Sequence, residues 1–117
     1  MNKRQMGEYY EDAAIAFLEN NKISIIGKNV HCGKIGEIDI IGMDQGADYG
    51  RTLVFFEVKY RKNGNYGYAA EAVDGKKQNT IRKCASYYTA FKNWSGYIRF
   101  DVIAIDGDEI NWIKNAF

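Results

Sequence analysis

The 117 residues contain no proline, a single histidine and only two cysteines. There is no low-complexity tract and no internal repeat, so nothing marks a linker. The length suits one domain, residues 1–117, with one core. One histidine, His31, makes a zinc site improbable, and Cys32 and Cys84 fit no zinc or redox spacing. Cys84 falls on a helical core stripe, where a buried thiol is expected. No segment could span a membrane. The polar start, Met1 to Gly7, is followed by nothing like a signal-peptide apolar run. The expectation is a reduced, cytoplasmic protein that does not associate with membranes. Net charge is only +1, so overall charge selects no class of partner.

Charge distribution is more informative. Between Lys59 and Lys83 stand seven basic residues (Lys59, Arg61, Lys62, Lys76, Lys77, Arg82, Lys83) against two acidic ones, Glu71 and Asp74. Such a local excess suits a polyanion, although a solvated helix face has the same composition.

The stretch Leu53 to Arg61 reads as a β-strand whose two faces differ. Side chains alternate along a strand, so Val54, Phe56, Val58 and Tyr60 keep one face apolar. The other face runs from Leu53 and Phe55 into Glu57, Lys59 and Arg61. A carboxylate and an ammonium then stand about 7 Å apart at the end of a buried strand. An exposed Glu/Lys pair would look the same.

Around that strand the order of elements is helix, three strands, helix, two strands. Lys3 to Asn21 winds with Met6, Tyr10, Ala13, Ala14, Phe17 and Leu18 on one apolar arc. Glu11 lies at its edge, where a half-buried carboxylate could lean over a sheet; an ordinary boundary residue has the same place. Ile23 to His31 is a strand broken around Gly27. After the turn Cys32-Gly33-Lys34, Ile35 to Met43 alternates, with Ile35, Glu37, Asp39, Ile41 and Met43 on one face and Gly36, Ile38, Ile40 and Gly42 on the other. Asp44 to Arg51 has turn composition. Lys62 to Gly75 is loop-like, with a short helical turn at Ala69 to Val73. Lys76 to Phe91 is a helix with the stripe Ile81, Cys84, Ala85, Tyr88 and Phe91. Strands at Tyr97 to Ile105 and Glu109 to Ile113 complete the chain.

A hairpin closing about Asp48 pairs Met43 with Leu53 and Ile41 with Phe55, and brings Asp39 to Glu57 and Glu37 to Lys59. Opposed side chains start about 5 Å apart, and like charges there are destabilising. A divalent cation between Asp39 and Glu57 would relieve this, and carboxylate oxygens are what Mg²⁺ prefers. A slip of one residue would separate the two. A Glu37–Lys59 pair would make part of the site an ordinary salt bridge. Asp39, Glu57, Lys59 and Glu11, followed by a basic helix, are the equipment of metal-assisted phosphodiester cleavage.

Three runs carry a family resemblance: Gly7-x-x-x-Glu11-x-x-Ala14-x-x-Phe17-Leu18, Gly36-Glu37-Ile38-Asp39-Ile40-Ile41, and Leu53-Val54-Phe55-Phe56-Glu57-Val58-Lys59-x-Arg61. They continue in Gly67, Ala70-Glu71-Ala72-Val73, Lys77-Gln78 and Arg99-Phe100-Asp101-Val102. At these residues the chain resembles the PD-(D/E)xK nuclease superfamily in its Holliday-junction-resolvase form, and more closely the bacterial YraN-like family, whose endonuclease role is mostly inferred. The resemblance implies an α/β fold, a three-layer α/β/α restriction-endonuclease-like core around a mixed five-stranded sheet. It implies catalytic Glu11, Asp39, Glu57 and Lys59, with Mg²⁺ (or Mn²⁺) held by Asp39, Glu57 and the carbonyl of Val58. Arg61, Lys62, Lys76, Lys77, Gln78 and Arg82 are the candidates for contact with nucleic acid, expected to be DNA and branched or structured DNA in particular. Related resolvases act as dimers, so a homodimer is compatible; Tyr9, Tyr66, Tyr68 and Trp112 could line its face or stack on bases. Tyr10 replaces a glycine usual before the helix glutamate and could crowd Glu11. Ala69 stands where a proline is common. The alternative on the same fold is a module that binds nucleic acid or a partner protein without cutting.

Overall fold

A computed structural model describes residues 1–61 and 73–117. Its elements are α1 (Lys3–Asn20), β1 (Ile23–His31), β2 (Glu37–Asp44), β3 (Thr52–Arg61), α2 (Gly75–Phe91), β4 (Tyr97–Asp106) and β5 (Glu109–Ile113). The expected loop from Lys62 and the helical turn at Ala69 to Val73 fall largely outside the described residues, together with Lys62, Tyr66, Tyr68 and Glu71.

Both helices begin on side-chain caps. The Asn2 side chain accepts from the Gln5 backbone N–H at 2.9 Å while the Asn2 N–H donates to Gln5 Oε1 at 3.0 Å, which is a capping box. Asp74 Oδ1 accepts from the Lys77 N–H at 2.9 Å and starts α2. Asn21 closes α1 by donating to the Phe17 carbonyl, and Lys22 turns the chain away in the left-handed region at φ 68°.

The five strands lie in sequence order, β1-β2-β3-β4-β5. All neighbours are antiparallel except β3 and β4, which are parallel and joined through α2. The sheet is thus mixed, as expected. One helix covers each face. Tyr10, Ala14 and Leu18 of α1 bury against Ile40, Val54, Phe56, Val58, Ile103 and Ile105. Ile81, Cys84 and Ala85 of α2 bury against Ile41, Met43, Leu53, Phe55 and Val102. Removing each large apolar side chain from water stabilises the fold by about 1.5–3 kcal/mol, which makes β3, buried from both sides, the axis of the molecule.

Several expectations need correction. β2 starts at Glu37, because Ile35 belongs to the turn that Cys32 closes by bonding across to Gly36. Ile38 packs with the α2-side cluster, not with Ile40, so the alternation of β2 fails between them. Phe91 ends its stripe exposed, at 73%. Trp112 is no free aromatic: its ring packs against Phe17 and Phe56, and its Nε1–H donates to Asp101. Tyr10 does not lie on Glu11 but stacks on Tyr60 at 4.3 Å. Cys32 and Cys84 are not reduced thiols: the two buried sulfurs form a disulfide that ties the turn after β1 to α2, with Cα atoms 5.4 Å apart. No helix among the described residues is long and apolar enough to cross a membrane.

Candidate metal and phosphodiester site

The hairpin register is the expected one as far as it runs: Asp44 opposite Thr52, Met43 opposite Leu53, Ile41 opposite Phe55 and Ile40 opposite Phe56. It ends one step before Asp39 and Glu57. Within β2, Asp39 is the single residue with no registered partner on either neighbouring strand. Across from it on β1 stands Asn29 in the left-handed region, at φ 51°. Asparagine tolerates that conformation better than most residues. The kink takes Asn29 and Asp39 out of the ladder and coincides with the break in the alternation of β2.

Asp39 uses that freedom to reach β3. Its Oδ2 accepts from the Val58 N–H at 2.8 Å, which sets its carboxyl against that of Glu57. Burial, and then the neighbouring Glu57, push the Asp39 carboxyl up to about 8, against the opposing pull of the Val58 N–H and the Lys77 ammonium. Glu57 is 4% exposed, and its Oε2 is buried without a hydrogen bond. An unsatisfied buried carboxylate oxygen is costly in a structural role. Lys77 Nζ reaches to 3.4 Å of that oxygen.

Glu11 approaches from α1. It is half-buried and accepts from Asn29 Nδ2 at 3.1 Å. Burial raises its carboxyl above the ordinary range, the Asn29 bond opposes this, and the charges of Asp39 and Glu37 add to the rise. Glu11 therefore senses Asp39, but among the described residues no three His, Cys, Asp or Glu side chains gather into one metal-binding cluster. A cleft of about 390 Å³ opens beside it, lined by Arg4, Glu11, Asn29, His31 and Glu37 among others.

The donor set fits a small hard cation. Mg²⁺ is usually held by one or two carboxylates, keeps several waters and takes further oxygens from substrate phosphate. Asp39 and Glu57 supply the carboxylates, and the unsatisfied Glu57 Oε2 is a ligand atom in want of a partner.

The family model described as "Uncharacterised protein family UPF0102" matches residues 10–105. A UPF0102 protein of Fusobacterium nucleatum is 43% identical over 116 residues, covering 98% of this chain and 92% of its own. One from Aliivibrio fischeri is 42% identical over 120 residues, covering 98% and 93%, and one from Cytophaga hutchinsonii is 44% identical over 110, covering 94% and 92%. This chain belongs to the UPF0102 family.

In this UPF0102 chain the remaining candidates divide. Lys59 is half-buried, shares the strand face of Glu57, and forms no ion pair among the described residues. Glu37 does not meet it: Glu37 faces His31 on β1, with Oε2 at 3.7 Å from Nε2. Arg61 is half-buried at the end of β3, and Lys76 is exposed in the first turn of α2. Lys77, a candidate for contact with nucleic acid, reaches Glu57 from a half-exposed position in the first turn of α2. Gln78 donates to the Val73 carbonyl at 3.0 Å and fastens the entry to α2. Arg82 lies over the rings of Phe100 and Phe117 at 6.0 and 5.4 Å, away from the acidic pair.

Arg99 and Asp101, part of the matching runs, serve the fold. Fully buried Asp101 accepts from Arg99 Nε and Nη2, Trp112 Nε1 and the Asn115 N–H, and Arg99 also donates to Asp44. Asn29 is the site residue that sequence reasoning missed; Lys77 was named, but as a contact for nucleic acid and without its approach to Glu57. An asparagine inside an apolar strand, opposite an aspartate, was a usable signal for Asn29. For the approach of Lys77 to Glu57 the sequence held no signal.

Proposed function

We propose that this UPF0102 chain is a Mg²⁺-dependent endonuclease that hydrolyses phosphodiester bonds of DNA, with Mn²⁺ able to replace Mg²⁺. The observation that carries this reading is the fork between β2 and β3. There Asp39, free of the ladder, meets Glu57, whose Oε2 is buried and unsatisfied. Two carboxylates placed together in a buried fork weaken a fold unless a cation joins them or one of them keeps its proton. The resemblance to PD-(D/E)xK nucleases and to resolvases supports the reaction class and favours branched or structured DNA.

When bound at Asp39 and Glu57, with the Val58 carbonyl as a further candidate ligand, the metal would activate a water and offset charge on the scissile phosphate. The chain's own groups do the rest. The Val58 N–H fixes the Asp39 carboxylate. Lys59, on the face of Glu57, orients the attacking water or stabilises the pentacovalent phosphorane. Glu11, held by Asn29, takes a place at the edge of the site. Arg61 and Lys76 offer charge to the phosphate backbone.

The test is a pair of substitutions. Asp39→Ala removes Mg²⁺ binding in a calorimetric titration, and Lys59→Ala keeps the metal but loses cleavage. Cleavage unchanged in both would refute the assignment. The Lys77–Glu57 contact favours a second reading, a DNA-binding module in which an internal cation stands in for metal. That module binds DNA in a salt-sensitive way and yields no product under any divalent ion.

A further inference from the structure

Lys77 is the one cation among the described residues that pairs with either member of the acidic pair. Its approach to Glu57 is unlike a tight structural ion pair. At 3.4 Å it makes no hydrogen bond, and Glu57 Oε2 stays unsatisfied beside it. The lysine side chain is 39% exposed while the carboxylate is 4% exposed. One end of the contact is thus fixed and buried, and the other sits on a long, flexible stem at the surface of the first turn of α2, beside exposed Lys76.

We infer that Lys77 is a displaceable counter-ion of Glu57, so that nucleic acid and the metal bind cooperatively. The inference rests on the metal-site reading above. A divalent cation on Glu57 Oε2 would lie within a few ångströms of the Lys77 ammonium, and the two charges would repel. Phosphate at the mouth of the site offers Lys77 another partner. Once Lys77 turns outward to it, the repulsion is relieved and the carboxylate is open. By linkage, metal strengthens DNA binding by the same factor that DNA strengthens metal binding. The device would keep the site from loading fully until substrate is present.

The test measures Mn²⁺ affinity by electron paramagnetic resonance, with and without a short DNA duplex. The Lys59→Met background prevents cutting. With Lys77 present, duplex raises Mn²⁺ affinity by about five-fold or more. In Lys77→Met and in Lys77→Gln, Mn²⁺ binds more tightly without DNA and the duplex adds little. Lys77→Arg restores the linkage. Loss of a nearby positive charge would by itself raise affinity in both states, so the decisive quantity is the ratio of the two affinities. A ratio unchanged by Lys77→Met and Lys77→Gln overturns the inference and leaves the metal site standing. Absence of Mn²⁺ binding in every protein overturns the inference and the metal site together.

Discussion

Replacing Asp39 by asparagine should make the metal-free protein more stable, and increasingly so as pH rises. The Asp39 carboxyl is pushed from its ordinary 3.8 to about 8 by burial and by Glu57. Between those values the folded protein holds a proton that the unfolded chain has released. Stability therefore falls as pH rises through this window, by up to about 1.4 kcal/mol per pH unit for such a group. At pH 7 the accumulated loss is on the order of 2–4 kcal/mol. Asparagine mimics the protonated state. Its amide oxygen can accept from the Val58 N–H in place of Oδ2, its NH₂ can donate to Glu57, and it never ionises. Urea unfolding in the presence of a chelator at pH 4.5, 6 and 7.5 gives the comparison. The expected result is a gap of about 1 kcal/mol at pH 4.5 that widens toward pH 7.5 in favour of Asp39→Asn. Saturating Mg²⁺ should then stabilise the parent protein and leave the variant unmoved. A variant less stable than its parent at pH 7.5 would refute the reasoning.

Other consequences can be measured alongside. The Cys32–Cys84 disulfide spans a sequence separation of 52, and in the chain-entropy account a closed loop of that size is worth about 4 kcal/mol. Refolding under reductant should lower the unfolding free energy by about 2–4 kcal/mol, and an unchanged value would mean that the bond constrains little. Asn29→Ala removes the bond that positions Glu11 and should lower Mg²⁺-dependent cleavage by about 10–100-fold. Glu37→Ala, which loses the contact with exposed His31 and the weakest of the charges acting on Glu11, should stay within a few-fold of the parent. Equal losses in these two variants would argue against a special role for Glu11.

Much of the framework was legible because its signals are local. The alternation of β3, the turn composition centred on Asp48 and the apolar arc of α1 set the sheet register, and they put Glu11 at the edge of its helix. What was not legible depends on single backbone departures and on long-range contacts. The left-handed Asn29 removes Asp39 from the ladder, and Ile38 packs across from Ile40; strict period-two alternation foresees neither. The Cys32–Cys84 bond joins residues whose spacing carries no disulfide signature. Lys77 reads as one basic residue among several until the fold brings α2 over the end of β3. Arg99 and Asp101 read only as part of the family resemblance, with no role assigned, and burial shows them to be a clasp that holds β4, β5 and the β2 end together.

The central claim is metal-dependent DNA cleavage at Asp39 and Glu57. It is met most directly by incubating the purified protein and Glu57→Ala with duplex, single-stranded, flap and four-way-junction DNA, in Mg²⁺, in Mn²⁺ and in chelator. The account predicts cutting by the parent protein that requires metal, is strongest on a branched substrate and vanishes in Glu57→Ala. Binding without cutting, equal in the two proteins, would contradict it and leave a DNA-binding module on the same fold.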